Sequence, residues 1–428
     1  MHLDVYGDTL CALVTAAGLA SVGHDVTLRL PYGRVRERVL ANHAAYSEPG
    51  LRKLISSQNT AGRLNFSDFS TLPGEDSRAV FLALNTGDET AAENIVQRLT
   101  QKPDRRWLII NQSPFPVGFT ELLQSRIKLE TPENKSAVVC LPDFLQEGSA
   151  IDGLRKPSQI ILGCSDGHAE LKVKEIFRPF SREVDRFLVM TEREAEFTKL
   201  TITGMLVTRI SFMNDMANLA DSLGVDIEHV RQGVAADPRI GPAYLYPGVG
   251  FGGPGFANNV VNLVDTLTAS GVGSELLTEV LQINERQKDL LFRKLWKHYR
   301  TDLKGRTIGI WGAAFKPGTG RIDNAPVLRV LEALWAQGAR VQIHDPEAIP
   351  ALLEHYGSRA DLVSASNPYT AAEGTDGLMV LTHWPQYGSP DFERLRQLMR
   401  SPVLLDGRNI YDPATVREYG FTYYGVGR

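Results

Sequence analysis

The chain has 428 residues, of which 43% are hydrophobic and 22% are charged, so we expect a globular protein with two or three domains. A formal net charge of −4 offers no strongly basic face for nucleic acid, and the scattered Cys11, Cys140 and Cys164 are too few for a disulfide framework or a zinc site. No apolar run is long enough to span a bilayer and the first residues do not resemble a signal peptide, which predicts a cytoplasmic protein without a membrane partner.

The first part of the chain alternates short apolar segments with segments of helical length. A helix is predicted over residues 10–22, where small and apolar residues end at Gly23. Buried strands are predicted at residues 3–7, 26–30, 80–84, 107–110 and 137–140. Strands that alternate with helices in this way are typical of a parallel, doubly wound sheet.

The middle of the chain is predicted to be helical, over residues 193–223 and again over residues 275–303. Strand and helix alternation resumes after Gly305. The later strands are predicted at residues 307–311, 341–344, 377–381 and 403–405, with a helix at 327–336. We therefore predict an α/β protein with two Rossmann-like, doubly wound parallel-sheet domains joined by a long central helical segment. The predicted boundaries are 1–190, 191–303 and 304–428.

Short motifs occur in order along nearly the whole chain. They are Gly23-His-Asp-Val26, Glu48-Pro-Gly-Leu51, Pro116-Val-Gly118, Pro142-Asp-Phe-Leu-Gln-Glu-Gly148, Ile210-Ser-Phe-Met-Asn214, Phe315-Lys-Pro-Gly-Thr319, Asp406-Gly-Arg-Asn-Ile410 and Tyr423-Tyr-Gly-Val-Gly-Arg428. A loop at residues 239–253, ending Phe251-Gly-Gly253, joins them. Each motif alone is weak, but the ordered set resembles the UDP-glucose/GDP-mannose dehydrogenase family, in particular its bacterial UDP-glucose 6-dehydrogenases.

The resemblance implies NAD as the cofactor, bound in the first Rossmann domain, and a UDP-sugar bound in the second. It also implies oxidation of the sugar C6 alcohol to a carboxylate in two hydride transfers, and a homodimer formed through the central helix. These properties place such a protein in polysaccharide metabolism.

The predicted cofactor turn departs from what a dinucleotide site requires. Such a site needs glycines for close approach of the backbone to the pyrophosphate, and an acid after the second strand for the ribose. Gly7 provides the first glycine, but Thr9 stands at the second position and Ala12 at the third, where alanine is acceptable. Asp8 is predicted to cap the helix start, where a pyrophosphate would bind, and Leu30 stands where the acid is expected. These residues favour a fold that binds no dinucleotide.

A second interpretation of the turn is preference for NADP. Arg29 and Arg34 lie close to the expected ribose site in the sequence, and guanidinium groups suit a 2′-phosphate. The departures within the turn itself make this the weaker alternative.

The catalytic loop lacks the nucleophile that the resemblance implies. The family sequence Ser-Cys-Phe-Pro-Lys-Asp corresponds to residues 254–259, so that Gly255 replaces the cysteine, Asn258 the lysine and Asn259 the aspartate. Oxidation of an aldehyde by hydride transfer requires a tetrahedral adduct, which a thiolate forms and glycine does not. Asn258 and Asn259 alternatively belong to a polar loop, or to the cap of a helix predicted at residues 260–268.

Of the other catalytic positions implied by the resemblance, some match the family and some are replaced. Lys199 matches the family's lysine, and Asp143 and Glu147 match its two glutamates. Thr203 stands where an asparagine follows that lysine by one helical turn, and Pro114, which has no hydroxyl, replaces a threonine. Lys199 is alternatively a solvated lysine on an amphipathic helix.

The sugar side keeps more of the family pattern. The loop provides aromatic faces and glycines that allow close backbone approach, and the matching cations are predicted to bind the UDP-sugar. The candidate substrate-binding residues are Arg239, Tyr244, Tyr246, Gly250, Phe251, Gly252, Lys316 and Arg408. In residues 319–326 the charges of Arg321 and Asp323 are exchanged relative to the family pattern, which weakens any hinge or interface role of that segment.

Three hypotheses remain open. The first is a catalytically impaired UDP-glucose 6-dehydrogenase homologue that still binds a nucleotide sugar and regulates, or dimerises with, a competent paralogue. The second is an active NAD(P)-dependent enzyme that performs a single oxidation, with Lys199 and Glu147 moving protons. The third is a structural or regulatory dimer without UDP-sugar binding. No metal site is predicted.

Overall fold

The structure is a computed structural model that describes residues 1–101, 105–181 and 184–428. Its contacts divide the chain into two compact units, Met1–Thr201 and Ile202–Arg428. Each unit contains one β-sheet, and a helix at Glu192–Leu223 begins in the first unit and ends in the second.

The sheet of the first unit consists of short strands whose side chains are largely buried on both faces. The strands are β1 (His2–Tyr6), β2 (Asp25–Leu30), β3 (Leu64–Asp68), β4 (Ser77–Leu82), β5 (Leu108–Asn111), β6 (Ala137–Cys140), β7 (Ile160–Gly163) and β8 (Phe187–Met190). Their order is β3-β2-β1-β4-β5-β6-β7-β8, and neighbours are parallel except for β6 and β7. Burial on both faces explains why the central strands β5, β6 and β7 are nearly continuous apolar runs.

The helices of the first unit connect these strands and cover the sheet. They are α1 (Leu10–Ser21), α2 (Arg34–Leu40), α3 (Leu51–Thr60), α4 (Glu89–Thr100), α5 (Phe119–Glu130), α6 (Ala150–Arg155), α7 (Gly167–Phe177) and the start of α8 (Glu192–Leu223). Helix α1 is buried over residues 12–20, because it is apolar or small on all sides. At Gly18 an added Cβ would lie 2.1 Å from the Leu154 side chain, so glycine permits the close contact of α1 with α6.

The second unit contains a fully parallel six-stranded sheet with the order β11-β10-β9-β12-β13-β14. Its strands are β9 (Thr307–Trp311), β10 (Arg340–His344), β11 (Leu362–Ser364), β12 (Gly377–Val380), β13 (Val403–Asp406) and β14 (Thr422–Tyr424). Its helices after α8 are α9 (Ile227–Ala236), α10 (Pro254–Ala269), α11 (Glu275–Lys288), α12 (Leu290–His298), α13 (Pro326–Ala336), α14 (Ile349–Tyr356), α15 (Pro368–Ala372), α16 (Phe392–Leu398) and α17 (Pro413–Glu418). The predicted fold class, two parallel-sheet α/β units with a long central helix, is confirmed.

Two predicted helices differ from those observed. The helix predicted at residues 275–303 is two helices, α11 and α12, which are separated at Asp289. The helix predicted at residues 260–268 begins earlier, at Pro254, because proline is well suited to the first turn and Gly253 precedes it with a φ of 89°. Asn258 and Asn259 therefore lie inside α10, and their prediction as loop or cap residues was wrong.

Candidate nucleotide and substrate sites

The turn after β1 has the close backbone packing of a nucleotide-binding strand-to-helix turn. Gly7 has a φ of 136°, and a Cβ added there would lie 2.1 Å from the carbonyl oxygen of Ala83. Only glycine fits this position. The first glycine of the predicted turn is thus required by the backbone itself.

Thr9, rather than Asp8, caps helix α1. The Thr9 hydroxyl accepts a hydrogen bond from the amide of Ala12 at 3.0 Å and donates one to the carbonyl of Ala83 at 2.8 Å. The prediction that Asp8 is the cap was wrong, because the N-cap residue is Thr9, whose side chain accepts the hydrogen bond from the free amide. The hydroxyl therefore stands at the helix start, where a pyrophosphate would approach.

Asp8 is held in place next to this cap. Tyr46 donates its hydroxyl to the Asp8 carbonyl at 2.9 Å, and the Asn85 amide lies 3.5 Å from the Asp8 carboxyl. Burial raises the pKa of the Asp8 carboxyl, and the nearby Asp88 raises it further. Two acidic side chains at the turn are unfavourable neighbours for a pyrophosphate.

Two residues at the end of β2, Arg29 and Leu30, point into the protein. Leu30 is fully buried. Arg29 is also buried and forms a 2.7 Å ion pair with Asp4, which is itself fully buried, and donates to the Thr71 carbonyl at 3.1 Å. The suggestion that Arg29 binds a 2′-phosphate was wrong, since its buried guanidinium is already paired with Asp4 and bonded to the Thr71 carbonyl. Arg34 is the first residue of α2.

The Thr9 cap can be tested through stability. Thr9→Ala is expected to lower the free energy of unfolding by about 1 kcal/mol, because the amide of Ala12 loses its partner. Urea denaturation of the variant and the wild type measures this difference. The exposed Thr60, at the end of α3, provides a matched Thr→Ala control. Equal effects at the two positions would contradict the assignment of Thr9 as the cap.

Several predicted catalytic residues of the first unit lie near one another. The Lys199 ammonium lies 4.8 Å from the centre of the Phe144 ring, next to Asp143, whose carboxyl accepts from the amide of Leu145 at 2.6 Å. The charges of both Asp143 and Lys199 act on the Cys11 thiol: Asp143 raises its pKa and Lys199 lowers it. Burial, reinforced by Asp143, raises the pKa of Cys11 well above its usual value, so this thiol stays protonated at neutral pH.

The remaining predicted catalytic positions are spread along separate segments. Pro114 is exposed in the segment after β5. Glu147 is half-buried, and the segment that follows it is fixed by Glu48, which accepts from the amides of Gly148 and Ala150 at 2.6 and 2.8 Å. Thr203, one turn beyond Lys199 on α8, is buried in the second unit.

Glu196 is a buried carboxyl that the sequence reasoning did not identify. It accepts hydrogen bonds from the amides of Gly118 and Thr120 at 2.5 and 2.9 Å, and from the Thr120 hydroxyl at 2.6 Å. It therefore caps the start of α5 across a long sequence separation. Its burial raises its pKa. Its position three residues before Lys199 was the only signal in the sequence.

The catalytic loop of the second unit leads directly into α10. Gly255 lies in the first turn of this helix and is exposed, and no atom outside its immediate neighbours lies within 4 Å of a Cβ added there. Asn259 faces inward and is 8% exposed, whereas Asn258 is exposed. Packing therefore leaves room for a side chain at position 255.

The aromatic residues predicted to bind the sugar separate into two groups. Tyr244, with a φ of 60°, and Phe251 both pack against Phe256, with ring centres 6.1 Å apart in each pair. Tyr246 instead is 65% exposed and has the Arg231 guanidinium 4.2 Å above its ring. The first group forms one wall at the start of α10.

The predicted cations differ strongly in their surroundings. Arg239 is exposed and pairs with Asp237 at 2.7 Å. The Lys316 ammonium lies 5.7 Å from the centre of the Phe315 ring. Arg408, after β13, donates its Nε to the Leu381 carbonyl at 2.7 Å, and its backbone amide to Asp406 at 3.0 Å. Burial lowers the pKa of Arg408 to about 10, so that it remains charged at neutral pH.

The exchanged charges at residues 321–323 form a local contact. Arg321 pairs with Asp323 at 2.9 Å, and the Asp323 carbonyl accepts from the amide of Gly253 at 2.7 Å. A Cβ at Gly252 would lie 2.7 Å from the carbonyl oxygen of Asn324. This segment therefore supports the glycine-rich loop from one side.

Three residues that hold the glycine-rich loop were missed by the sequence reasoning. Asn284, Gln287 and Lys288 on α11 are each about 1% exposed, and they contact the loop at residues 248–253 or its neighbours. Buried polar residues at spacings of three and four on one helix were the available signal.

Two kinds of site are not found among the described residues. No three or more His, Cys, Asp or Glu side chains within residues 1–101, 105–181 and 184–428 are grouped so that they would hold a metal ion. In the same ranges no helix combines the length and apolar character needed to cross a membrane.

A glycine turn after the first strand of each parallel sheet, at Gly7 and Gly312, is typical of the nucleotide-binding folds of dehydrogenases. The chain matches the NAD binding domain of the UDP-glucose/GDP-mannose dehydrogenase family at residues 1–181, the central domain at 193–286 and the UDP binding domain at 309–413. The chain belongs to this family and is UDP-glucose 6-dehydrogenase-like.

Relatives of known identity match along the whole chain. UDP-glucose 6-dehydrogenase of Pseudomonas aeruginosa is 38% identical, covering 100% of this chain and 98% of that protein. The Rhizobium meliloti enzyme of the same name is 31% identical, with 100% of both chains covered. A UDP-glucose dehydrogenase structure from Pyrobaculum islandicum matches with a TM-score of 0.87 and 30% identity, covering 100% of this chain and 97% of that one. The predicted resemblance is confirmed.

Proposed function

We propose that this chain binds a UDP-sugar but does not oxidise it, because it neither binds NAD productively nor has a nucleophilic side chain at position 255. The observation that carries the proposal is the Thr9 hydroxyl at the start of α1, which caps the Ala12 amide and bonds to Ala83. NAD is the cofactor of the family's first domain, but Thr9, Asp8 and the buried Leu30 do not fit its pyrophosphate and ribose.

The second part of the proposal concerns the aldehyde step. Gly255 provides no atom to attack an aldehyde. The three cysteines, Cys11, Cys140 and Cys164, all belong to the other unit, and burial raises the pKa of each thiol. With Asn259 in place of a carboxylate, the loop also lacks the general base implied at that position. Another residue could take over the role of one replaced residue, but replacements at both the cofactor turn and the loop are harder to compensate. The two together therefore favour loss of activity.

The sugar side supports binding. Among the described residues the Arg408 guanidinium forms no salt bridge, although burial lowers its pKa to about 10. An anion beside such a group is favourable, since it offsets the cost of burying the charge. The match to the family's UDP binding domain at residues 309–413 includes Arg408 and Lys316, which supports a UDP-sugar as the ligand. We assign this role to the predicted segment 304–428, with the loop at 239–259 facing the sugar.

Thermal-shift measurements test the proposal directly. Stabilisation by a ligand follows its affinity for the native state, so UDP and UDP-glucose are expected to raise the melting temperature, whereas NAD and NADP are expected to leave it unchanged. The Pseudomonas aeruginosa relative serves as the positive control for the dinucleotides. A shift with NAD comparable to that of the relative would contradict the proposed loss of cofactor binding.

An active enzyme limited to one oxidation, with Lys199 and Glu147 moving protons, is the second candidate. The Lys199 ammonium lies 4.8 Å from the centre of the Phe144 ring, three residues before Glu147, which favours it. The first hydride transfer needs no thiolate, so these two groups have the chemistry for the proton transfer. This candidate requires a bound dinucleotide. Calorimetry without heat from NAD or NADP would remove it.

We further propose a homodimer formed through α8. Met205, Phe212 and Leu219 are 61%, 55% and 50% exposed and stand seven residues apart, which aligns them along one face of the helix. A repeated apolar face of this kind on a long helix suits an identical helix from a second copy. A competent paralogue is the alternative occupant of the same face.

The dimer gives a prediction of its own. Phe212→Asp is expected to convert the protein to a monomer, because a carboxylate at the centre of the apolar face would have to be desolvated in the interface. Light scattering after gel filtration measures the mass. Leu353→Asp, at an exposed apolar position on α14, is the matched control and is expected to leave the mass unchanged. A wild-type protein that is monomeric at micromolar concentration would contradict the homodimer.

A further inference from the structure

We propose that Asn284 and Gln287 on α11 are positioning residues that set the shape of the loop at residues 248–253 for the sugar part of the ligand. The inference deepens the proposed UDP-sugar binding and rests on it. The contacts that carry it lie within the second unit, between α8, α11, the loop and the turn after β13.

Asn284 holds the centre of the loop with both ends of its side-chain amide. Its Oδ1 accepts from the amide of Phe251 at 2.7 Å, and its Nδ2 donates to the Phe251 carbonyl at 3.1 Å. One side chain thus satisfies both backbone groups of one loop residue, as a neighbouring strand would. At Gly250, whose φ is 84°, an added Cβ would lie 2.9 Å from Asn284 Oδ1, so the loop approaches α11 as closely as glycine permits.

Gln287 and Asn214 hold the beginning of the same loop. The Gln287 Nε2 donates to the carbonyl of Gly248 at 2.8 Å, and its Oε1 accepts from Asn218 at 3.0 Å. Asn214 on α8 accepts from the amide of Gly248 at 2.8 Å. Both backbone groups of Gly248 are therefore also taken by buried side-chain amides. The loop is held at two residues, Gly248 and Phe251, by the same type of contact.

Lys288 extends this support to the segment that follows the loop in space. Its ammonium donates to Asn324 and pairs with Glu285 at 2.6 Å, although the side chain is only 1% exposed. Asn324 is the residue whose carbonyl limits the approach of Gly252. The ammonium is too buried to touch a ligand, so its role is to connect α11 with the segment around residue 324.

The position of the loop relative to Arg408 indicates which part of the ligand it serves. A Cβ added at Gly248 would lie 3.1 Å from the carbonyl oxygen of Gly407 and 3.3 Å from Arg408 Nη1. The loop therefore begins beside the guanidinium that suits a diphosphate. The diphosphate of a UDP-sugar carries the nucleoside at one end and the sugar at the other. We place the sugar along the loop, where the glycines allow close backbone approach. Rigid support of the loop then adds to affinity for the sugar and not for the nucleotide.

Calorimetry with UDP and UDP-glucose tests this separation. For Asn284→Ala we expect the ratio of the UDP-glucose Kd to the UDP Kd to rise about tenfold, because the unpaired Phe251 backbone groups release the loop. Gln287→Ala, which removes a single contact to the loop, is expected to change the ratio in the same direction by a smaller factor. This second variant keeps the test decisive if Asn284→Ala does not fold.

Ser211→Ala is the matched control. It removes a buried hydrogen bond between α8 and α11, from the Ser211 hydroxyl to the Val280 carbonyl at 3.1 Å, without touching the loop. It is expected to lower the melting temperature but to leave the Kd ratio unchanged. An unchanged ratio in both loop variants, or an equal loss of both ligands, would overturn the positioning role. If the wild type binds neither UDP nor UDP-glucose, the proposed function itself is wrong. If the wild type binds both and the variants leave the Kd ratio unchanged, only the positioning role is wrong.

Discussion

Purified wild-type protein supplied with NAD and UDP-glucose is expected to form NADH on the order of 10⁴-fold more slowly than the Pseudomonas aeruginosa relative, or not at all. Removal of a catalytic nucleophile typically slows a reaction by at least this factor. Here position 255 has no nucleophilic atom, and the Thr9 hydroxyl occupies the helix start at which we propose that the pyrophosphate is not bound. The measurement is the absorbance of NADH over time, with both proteins at equal concentration. A rate within about tenfold of the relative would overturn the proposed function.

Restoring the thiol alone is expected to leave the rate low. Gly255→Cys fits without strain, since no atom outside its immediate neighbours lies within 4 Å of the added Cβ. The free energy of unfolding of the variant should therefore differ from that of the wild type by no more than about 0.5 kcal/mol. Its activity still depends on NAD, which, under the proposed function, the turn with Thr9 and Asp8 does not bind productively. The same NADH assay, together with thiol labelling to confirm an exposed cysteine, checks this result. Full activity in this variant would show that the cofactor turn is functional.

Arg408→Ala is expected to weaken binding of UDP and of UDP-glucose alike, by about 10- to 100-fold. The Arg408 guanidinium forms no salt bridge among the described residues, so a diphosphate would be its principal counter-charge. Both ligands carry the diphosphate, and both affinities should fall by the same factor. Calorimetry at constant ionic strength measures the two values of Kd.

Arg359→Ala is the control for this measurement. Arg359 is also in the second unit, but it pairs with Asp361 at 2.8 Å, and its loss is expected to leave both ligands unaffected. Unchanged affinity in Arg408→Ala would remove this residue from the site and favour a structural dimer. The equal loss expected at Arg408 also contrasts with the selective loss of the sugar contribution expected at Asn284.

Much of the fold was predictable because its signals are local. The buried strands β5, β6 and β9 are continuous apolar runs, and the helix α8 follows a helical period over most of its length. Helix boundaries were less predictable, since they depend on competition between neighbouring turns. The start of α10 at Pro254 and the break at Asp289 were missed for this reason.

The candidate sites were predictable where a residue type alone decides the chemistry. The absence of a thiol at Gly255, of a carboxylate at Leu30 and of a hydroxyl at Pro114 follows directly from the residues present. These absences hold in any conformation. The sequence by itself therefore determined which chemical groups are missing at these three positions, along with the family and the fold class of the chain.

Only the tertiary structure decided how the remaining groups are used. Thr9 bonds to Ala83, Asp4 pairs with Arg29, and Asn284 holds Phe251, each through residues distant in the sequence. A hydrogen bond depends on distances within a few tenths of an ångström, and these arise only when several elements pack together. For that reason the sequence indicated Asp8 as the helix cap and left Arg29 open as a phosphate ligand in the weaker, NADP interpretation. Packing placed Thr9 at the cap and buried Arg29 against Asp4.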